Sequence, residues 1–270
     1  MEEMFRLKGP SAKDLEAFHQ DGYIAYPDVL TDVARESLID EVVSDGAVRQ
    51  FLDEPDDLEN PGTYFVRPWD NRGPWSDRLI DAPFITALLR ATIATEYHFC
   101  HSAMNVSRRG VGIGAIHQDH HHWKHAHPIN FAERDKYYIQ VLYYPNGFKQ
   151  GDRSLRVIPG SHLVAPTEAA TPERMLAGEF DAEVGRRLAL KDLEMPPGSM
   201  IYINARIFHG VAPKPADSPQ AYRIFLIDIF KEAGPPHRYT QEISPEWMAK
   251  AGPERLKLFQ REPYTDTCWD

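Results

Sequence analysis

A change of hydrophobic period near residue 100 constrains this chain more than any other feature. Before it, apolar residues recur at helical spacing. After it come short β-branched or aromatic runs bounded by Pro and Gly. These runs are YYIQVLYYP (137–145), LRVIPG (155–160), SMIYINA (199–205), IFHGVA (207–212) and AYRIFLIDIF (221–230). Short strands at irregular spacing, mostly joined by turns, predict an antiparallel sandwich or barrel. The expected architecture is therefore mainly β with flanking helices, around a jelly-roll core.

The helical signals are local. Ser11 is a candidate N-cap for 11–22, with Gly22 near its stop. Behind Thr31, residues Val33, Leu38, Ile39, Val42 and Val43 recur at helical spacing, and Gly46 is expected to end that helix. A third helix is predicted over 81–97, with Pro83 in its first turn. Residues 51–76, rich in Pro, Gly, Asp and Asn, read as a long ordered loop. Thr171 and Pro172 open a helical insertion over 171–188, and 244–262 reads as a helical tail. No repeat or low-complexity linker divides the chain. It reads as one domain over 1–270, with helical support over 1–100, a core over 101–231 and a tail over 232–270.

A formal charge of -10 argues against a nucleic-acid partner, which needs a concentrated basic surface. No run reaches the length of a membrane span; YRIFLIDIF is short and carries Arg223 and Asp228. Cys100 and Cys268 form no CxxC pair, which suits a reducing compartment. The N-terminus lacks the apolar stretch of a secretory signal. A cytoplasmic protein is expected.

The stretch AIHQDHHHWKHAHP (115–128) holds six of the twelve histidines. If 112–119 run as a strand, His117 and Asp119 share a face, as two ligands of one metal must. A 2-His-1-carboxylate set holds Fe(II) on one side and leaves positions open opposite. It needs a second histidine from elsewhere. His209, in NARIFHGVAP, is a candidate; taken alone it reads first as a core histidine bonded to a carbonyl. Arg223 interrupts an apolar strand, where a guanidinium needs an anion. That anion is either a bound carboxylate or a structural partner such as Asp228. Gln140 interrupts YYIQVLYYP and either donates to a bound carboxylate or bonds across strands.

Together these stretches resemble the phytanoyl-CoA dioxygenase-like family of Fe(II)/2-oxoglutarate-dependent oxygenases. FHQDGYIAYPDVL (18–30) is similar to that family's opening, and HQD (117–119) to its first two iron ligands. SLRVIPGSH (154–162), PPGSMIYINARIFHGVAP (196–213) and YRIFLIDIF (222–230) follow in the family's order. The resemblance implies a double-stranded β-helix in which His117, Asp119 and His209 hold Fe(II). It implies Arg223 on the far carboxylate of 2-oxoglutarate, with Gln140 as a looser cosubstrate contact and O2 as the second cosubstrate. It also implies a dioxygenase reaction, hydroxylating a small molecule and releasing succinate and CO2. Asp119 fills the place a halide would need, so halogenation is not expected.

The chain departs from the family pattern in three places. Arg153-Ser154 precede Leu155 where a Gly is usual, and the turn between His209 and Arg223 is long and Pro-rich. The family also does not call for His120, His121, His122, His125 and His127. On alternation, His121 and Trp123 fall on the side of the ligands and are candidate substrate contacts. Arg108, beside Arg109, is a candidate for an anionic substrate. His162 reads as structural. Two other readings remain: a non-catalytic jelly roll whose His-rich loop buffers metal, and a zinc hydrolase using the same three ligands.

Overall fold

The computed structural model describes residues 3–54, 62–69, 73–93, 96–119, 138–165, 167–232 and 241–259. Nine strands form two sheets. The larger contains β1 (Tyr23–Tyr26), β2 (Thr63–Val66), β3 (Tyr97–Arg108), β4 (Tyr138–Tyr144), β7 (Ser199–Asn204) and β9 (Tyr222–Glu232), in the order β1-β7-β4-β9-β3-β2. The smaller contains β5 (Leu155–Val157), β6 (Lys191–Asp192) and β8 (His209–Val211), in the order β6-β5-β8. All pairings in both sheets are antiparallel. The two sheets make a double-stranded β-helix.

Both faces of the larger sheet are covered, so its central strands are apolar in both alternations. Met200 and Tyr202 of β7 face the helices, where they meet Phe18, Leu38, Phe84 and Leu88. Ile201 and Ile203 face the smaller sheet and meet Leu142, Leu155, Val157 and Ile227. Thr92 Oγ1 and the Tyr202 hydroxyl, 2.5 Å apart, tie the helical layer to the sheet.

The helical layer starts with α1 (Ala12–Asp21). Ser11 accepts from the Asp14 amide, Asp14 reaches back to the Ser11 amide, and Gly22 closes the helix at φ 83. A Cβ at Gly22 would lie 2.6 Å from His162 Nδ1, so the turn needs glycine twice over. Next come α2 (Asp32–Ser44) and α3 (Gly46–Asp53). Gly46 does not end a helix. Asp45 accepts from the amides of Ala47 and Val48 and starts a new one there. Val33 is 45% exposed and lies off the buried stripe of Ala34, Leu38 and Val42.

Residues 51–76 hold more structure than a loop: the end of α3, then β2, then α4 (Pro74–Leu79). The short helix depends on a partner far away in sequence. The Glu41 carboxylate accepts from the amides of Trp75 (2.7 Å) and Ser76 (2.9 Å). α5 (Pro83–Thr92) follows. The insertion is two short helices, α6 (Pro172–Leu176) and α7 (Asp181–Val184), separated at Gly178 with φ 90. The tail gives α8 (Pro245–Lys250) and α9 (Pro253–Phe259); Trp247 packs edge-on against Phe99 at 5.9 Å. Among the described residues, no helix is long and apolar enough to cross a membrane.

Candidate metal centre

His117 and Asp119 do not lie on a regular strand. Residues 111–116 are extended but unpaired as a ladder, and His117 meets β8 through one bridge. Its amide donates to the His209 carbonyl at 2.8 Å, and the His209 amide donates back at 2.9 Å. This reciprocal pair places the two imidazoles side by side, with ring centroids 4.6 Å apart. The bridge therefore performs the role expected of strand alternation, and it selects His209 as the partner.

Gly210 makes this approach possible. A Cβ there would lie 2.6 Å from the Ala115 carbonyl oxygen. On the other flank, Gln118 donates to the Arg206 carbonyl, which directs its side chain away from the cavity.

Each histidine is oriented by its own backbone. Nδ1 of His117 lies 2.9 Å from the Ala115 carbonyl, and Nδ1 of His209 lies 3.1 Å from that of Ile207. A carbonyl only accepts, so the proton sits on Nδ1 and the Nε2 lone pair is left for a metal. Both Nε2 atoms face Asp119, His209 at 3.1 Å from Oδ2 and His117 at 3.4 Å from Oδ1. Ligand atoms of all three residues lie within 4.8 Å of one another. Burial acts to raise the Asp119 pKa. Without a metal, imidazoles that also carry a proton on Nε2 donate to Asp119; the charge of His209 and these hydrogen bonds outweigh burial and hold the carboxylate well below its usual range. The hydrogen bond to Asp119 in turn raises His117, against burial. Two imidazoles and an ionised carboxylate are the donor set of a divalent transition metal.

Gln140 lines the cavity together with Arg223 and is also bonded to Asp119. Its Nε2 donates to Asp119 Oδ2 at 2.5 Å, so it supports a candidate ligand directly. Replacing it with alanine is expected to weaken metal binding about tenfold, within the range for loss of an outer-shell partner. Competition with a chelator, in the absence of any cosubstrate, measures this. A Gln140 that serves only the cosubstrate leaves the metal affinity unchanged.

The three residues border a cavity of about 370 Å³ between the sheets. Cross-strand register sets its floor. His101, Ile229 and Gln140 form one row, Ala103, Ile227 and Leu142 the next, and Ser107 and Arg223 stand farther along. Arg223 is 2% exposed, and its guanidinium carbon lies 5.5 Å from the ring centres of both Tyr144 and Phe225. Nη1 donates to the Arg153 carbonyl, whereas Nε has no partner among the described residues. Asp228 is not its partner: five positions along one strand puts the two side chains on opposite faces. Arg223 and His209 are also not sheet neighbours, because β9 and β8 belong to different sheets that face each other.

Arg108 is not brought to the cavity. It points with Met104 and Val106 towards the helices and donates to the carbonyls of Phe51 (3.1 Å) and Glu54 (2.9 Å). His162 is fully buried, with Nε2 3.1 Å from the His19 carbonyl, as a structural residue should be. His121 and Trp123, together with His120, His122, His125 and His127, lie outside the described residues. Three lining residues carried no signal in the sequence: Phe65 and Arg67 of the β2 region, and His101 of β3.

Comparisons with known proteins find the same fold. HygX from Streptomyces hygroscopicus, with nickel and 2-oxoglutarate bound, superposes at a TM-score of 0.62 and 16% identity, covering 88% of this chain and 94% of that one. The non-heme α-ketoglutarate-dependent epimerase SnoN from nogalamycin biosynthesis gives 0.57 and 15%, covering 82% of each chain. The carbocyclase SnoK from nogalamycin biosynthesis gives 0.60 and 14%, covering 83% and 85%. At these identities the likeness shows a shared fold. No curated protein sequence matches the chain significantly. The family model for phytanoyl-CoA dioxygenase (PhyH) matches residues 18–218, which include His117, Asp119, Gln140 and His209. That span is well over half of the chain, which therefore belongs to the phytanoyl-CoA dioxygenase (PhyH) family.

Proposed function

We propose that the chain is an Fe(II)/2-oxoglutarate-dependent dioxygenase that hydroxylates a small molecule and releases succinate and CO2. The observation that carries this reading is the pairing of two sites on one cavity. A His-Asp-His donor set borders it, and a buried guanidinium with an unpartnered Nε lines it farther along. A buried cation to which no carboxylate is bonded among the described residues is costly, so Arg223 suits an anion from outside the chain. The far carboxylate of 2-oxoglutarate meets that need, and the planar fork of Arg suits it. A zinc hydrolase has no use for such an anchor.

When bound, Fe(II) and 2-oxoglutarate supply the oxidising power, with O2, that removes a hydrogen from the substrate. The protein's own part is geometric. The backbone carbonyls of Ala115 and Ile207 fix the imidazole faces, Gln140 fixes Asp119, and Arg223 sets the direction of the cosubstrate. Asp119 occupies the carboxylate position, which favours hydroxylation over halogenation. The apolar rows of Ile227, Ile229 and Leu142 suit a substrate with hydrocarbon surface. HygX binds hygromycin B and SnoN a nogalamycin compound, which supports a small-molecule substrate here.

Anaerobic titration tests the proposal. One Fe(II) and one 2-oxoglutarate per chain are expected, followed by succinate formation in air. Several metals per chain, with no succinate, would identify a metal-buffering protein instead.

A further inference from the structure

A second arginine lies beside Arg223, and its backbone is strained. Arg153 has φ 54, in the left-handed region that a side chain other than Gly, Asn or Asp rarely enters. Its Nε donates to Ser107 Oγ at 3.2 Å and its Nη1 to the Gly112 carbonyl at 2.7 Å. Ser107 is the cross-strand partner of Arg223 in the β3–β9 ladder. Directly opposed residues of an antiparallel pair share a face. The Arg153 guanidinium is thus fixed against the residue beside Arg223, while the Arg153 carbonyl accepts from Arg223 Nη1. Side chain and backbone of one residue both address the same spot.

Among the described residues, the carboxylate that acts on Arg223 is already engaged. Asp152 is the nearby carboxylate, but Lys214 Nζ (2.7 Å) and Ser218 Oγ (2.6 Å) already occupy its two oxygens. Arg109 adds a further cation, with Nε donating to the Ser218 carbonyl at 2.7 Å. Burial pushes the Tyr144 phenol up to about 12, so this ring stays neutral and offers Arg223 no counter-charge. Burial, and then the charge of Arg223, lower Arg153 to about 10, which leaves it charged at neutral pH. Among the described residues, Arg153 and Arg223 thus sit beside a carboxylate that Lys214 and Ser218 already hold.

We propose that Arg153 is a second carboxylate-binding guanidinium, so that the far carboxylate of the cosubstrate is held jointly by Arg153 and Arg223. This rests on the reading of Arg223 as the cosubstrate anchor. Among the described residues the second amino group of Arg153, Nη2, has no partner and is available for it. The strained backbone has a use on this account, since φ 54 lets a single residue give its carbonyl to Arg223 and its side chain to the ligand. The consequence is selectivity: the site distinguishes a 2-oxo dicarboxylate from a 2-oxo monocarboxylate of equal length more sharply than one arginine does.

The test is an anaerobic calorimetric titration of the Fe(II)-loaded protein with 2-oxoglutarate and with 2-oxopentanoate, which lacks the far carboxylate. Glycine accepts the backbone at residue 153, so Arg153→Gly keeps the turn. That variant is expected to bind 2-oxoglutarate about tenfold more weakly and 2-oxopentanoate as wild type does. Arg153→Lys, charged but without the fork, is expected to recover part of the loss. Equal weakening towards both ligands would show that Arg153 only supports the turn, and unchanged 2-oxoglutarate affinity would also overturn the proposal. Arg223→Ala separates this from the underlying reading. If that variant keeps the wild-type preference for the dicarboxylate, the Arg223 anchor itself falls, and the joint site with it.

Discussion

Replacing Asp119 with alanine is expected to abolish 2-oxoglutarate-dependent succinate formation and to weaken Fe(II) binding by more than about a hundredfold. That exceeds the ten- to hundredfold loss typical of an outer-shell partner. Asp119 is the one anionic donor of the set, and both Nε2 atoms are aimed at it. The variant should still fold, because the His117–His209 bridge is made by backbone atoms and the core lies elsewhere. A chelator-competition assay reads the affinity, and circular dichroism of the metal-free protein reads the fold. A pH comparison adds an independent check. In the metal-free protein Asp119 is depressed below its unfolded value, so it contributes stability above the ordinary carboxylate range and loses it as pH falls through the depressed value. Metal-free wild type should therefore lose more stability on acidification than Asp119→Ala. Wild-type succinate formation by Asp119→Ala would remove Asp119 from the metal centre.

The second large effect is expected at a residue that touches no ligand. Gly210→Ala puts a methyl group 2.6 Å from the Ala115 carbonyl oxygen and 2.9 Å from Ile116 Cδ1. The oxygen belongs to the backbone and cannot swing aside as a side-chain end can. The 111–117 segment must move off β8, at a cost of about 1–3 kcal/mol for overpacking. With it goes the 2.8 Å and 2.9 Å bridge that sets His117 beside His209. Metal affinity should drop at least tenfold in a protein whose sheets still form. Gly112→Ala is the control, because a Cβ there meets nothing within 4 Å. Equal metal affinity in wild type and Gly210→Ala would show that the bridge does not position His117.

Much of the fold was legible because its signals are local. The Ser11 cap, the Thr31 cap, Pro83 and the apolar runs of β4, β7 and β9 all act within a few residues. The misses depend on distant partners. β3 escaped because His101, Ser102, Asn105 and Ser107 interrupt its pattern; they are tolerated inside by contacts such as the Trp69 amide on Ser102 Oγ. α4 escaped because its cap is Glu41, more than thirty residues away. Gln140 was recognisable as a polar residue in an apolar strand. That it would bond to Asp119 depends on how the sheet meets the loop.

The sequence by itself determined the residue types of the metal centre and the order of strands that carry them, because hydrophobic period and turn chemistry are written residue by residue. Only the tertiary structure decided which histidine pairs with which, what orients them, and which carboxylate is already engaged. One bridge between 117 and 209, admitted by the missing side chain at Gly210, brings together candidate ligands ninety-two positions apart. The Arg153–Arg223 pair arises in the same way, from a strained turn reaching a strand residue seventy positions away. Contacts at that separation are fixed by packing and register, and no local pattern in a chain records them.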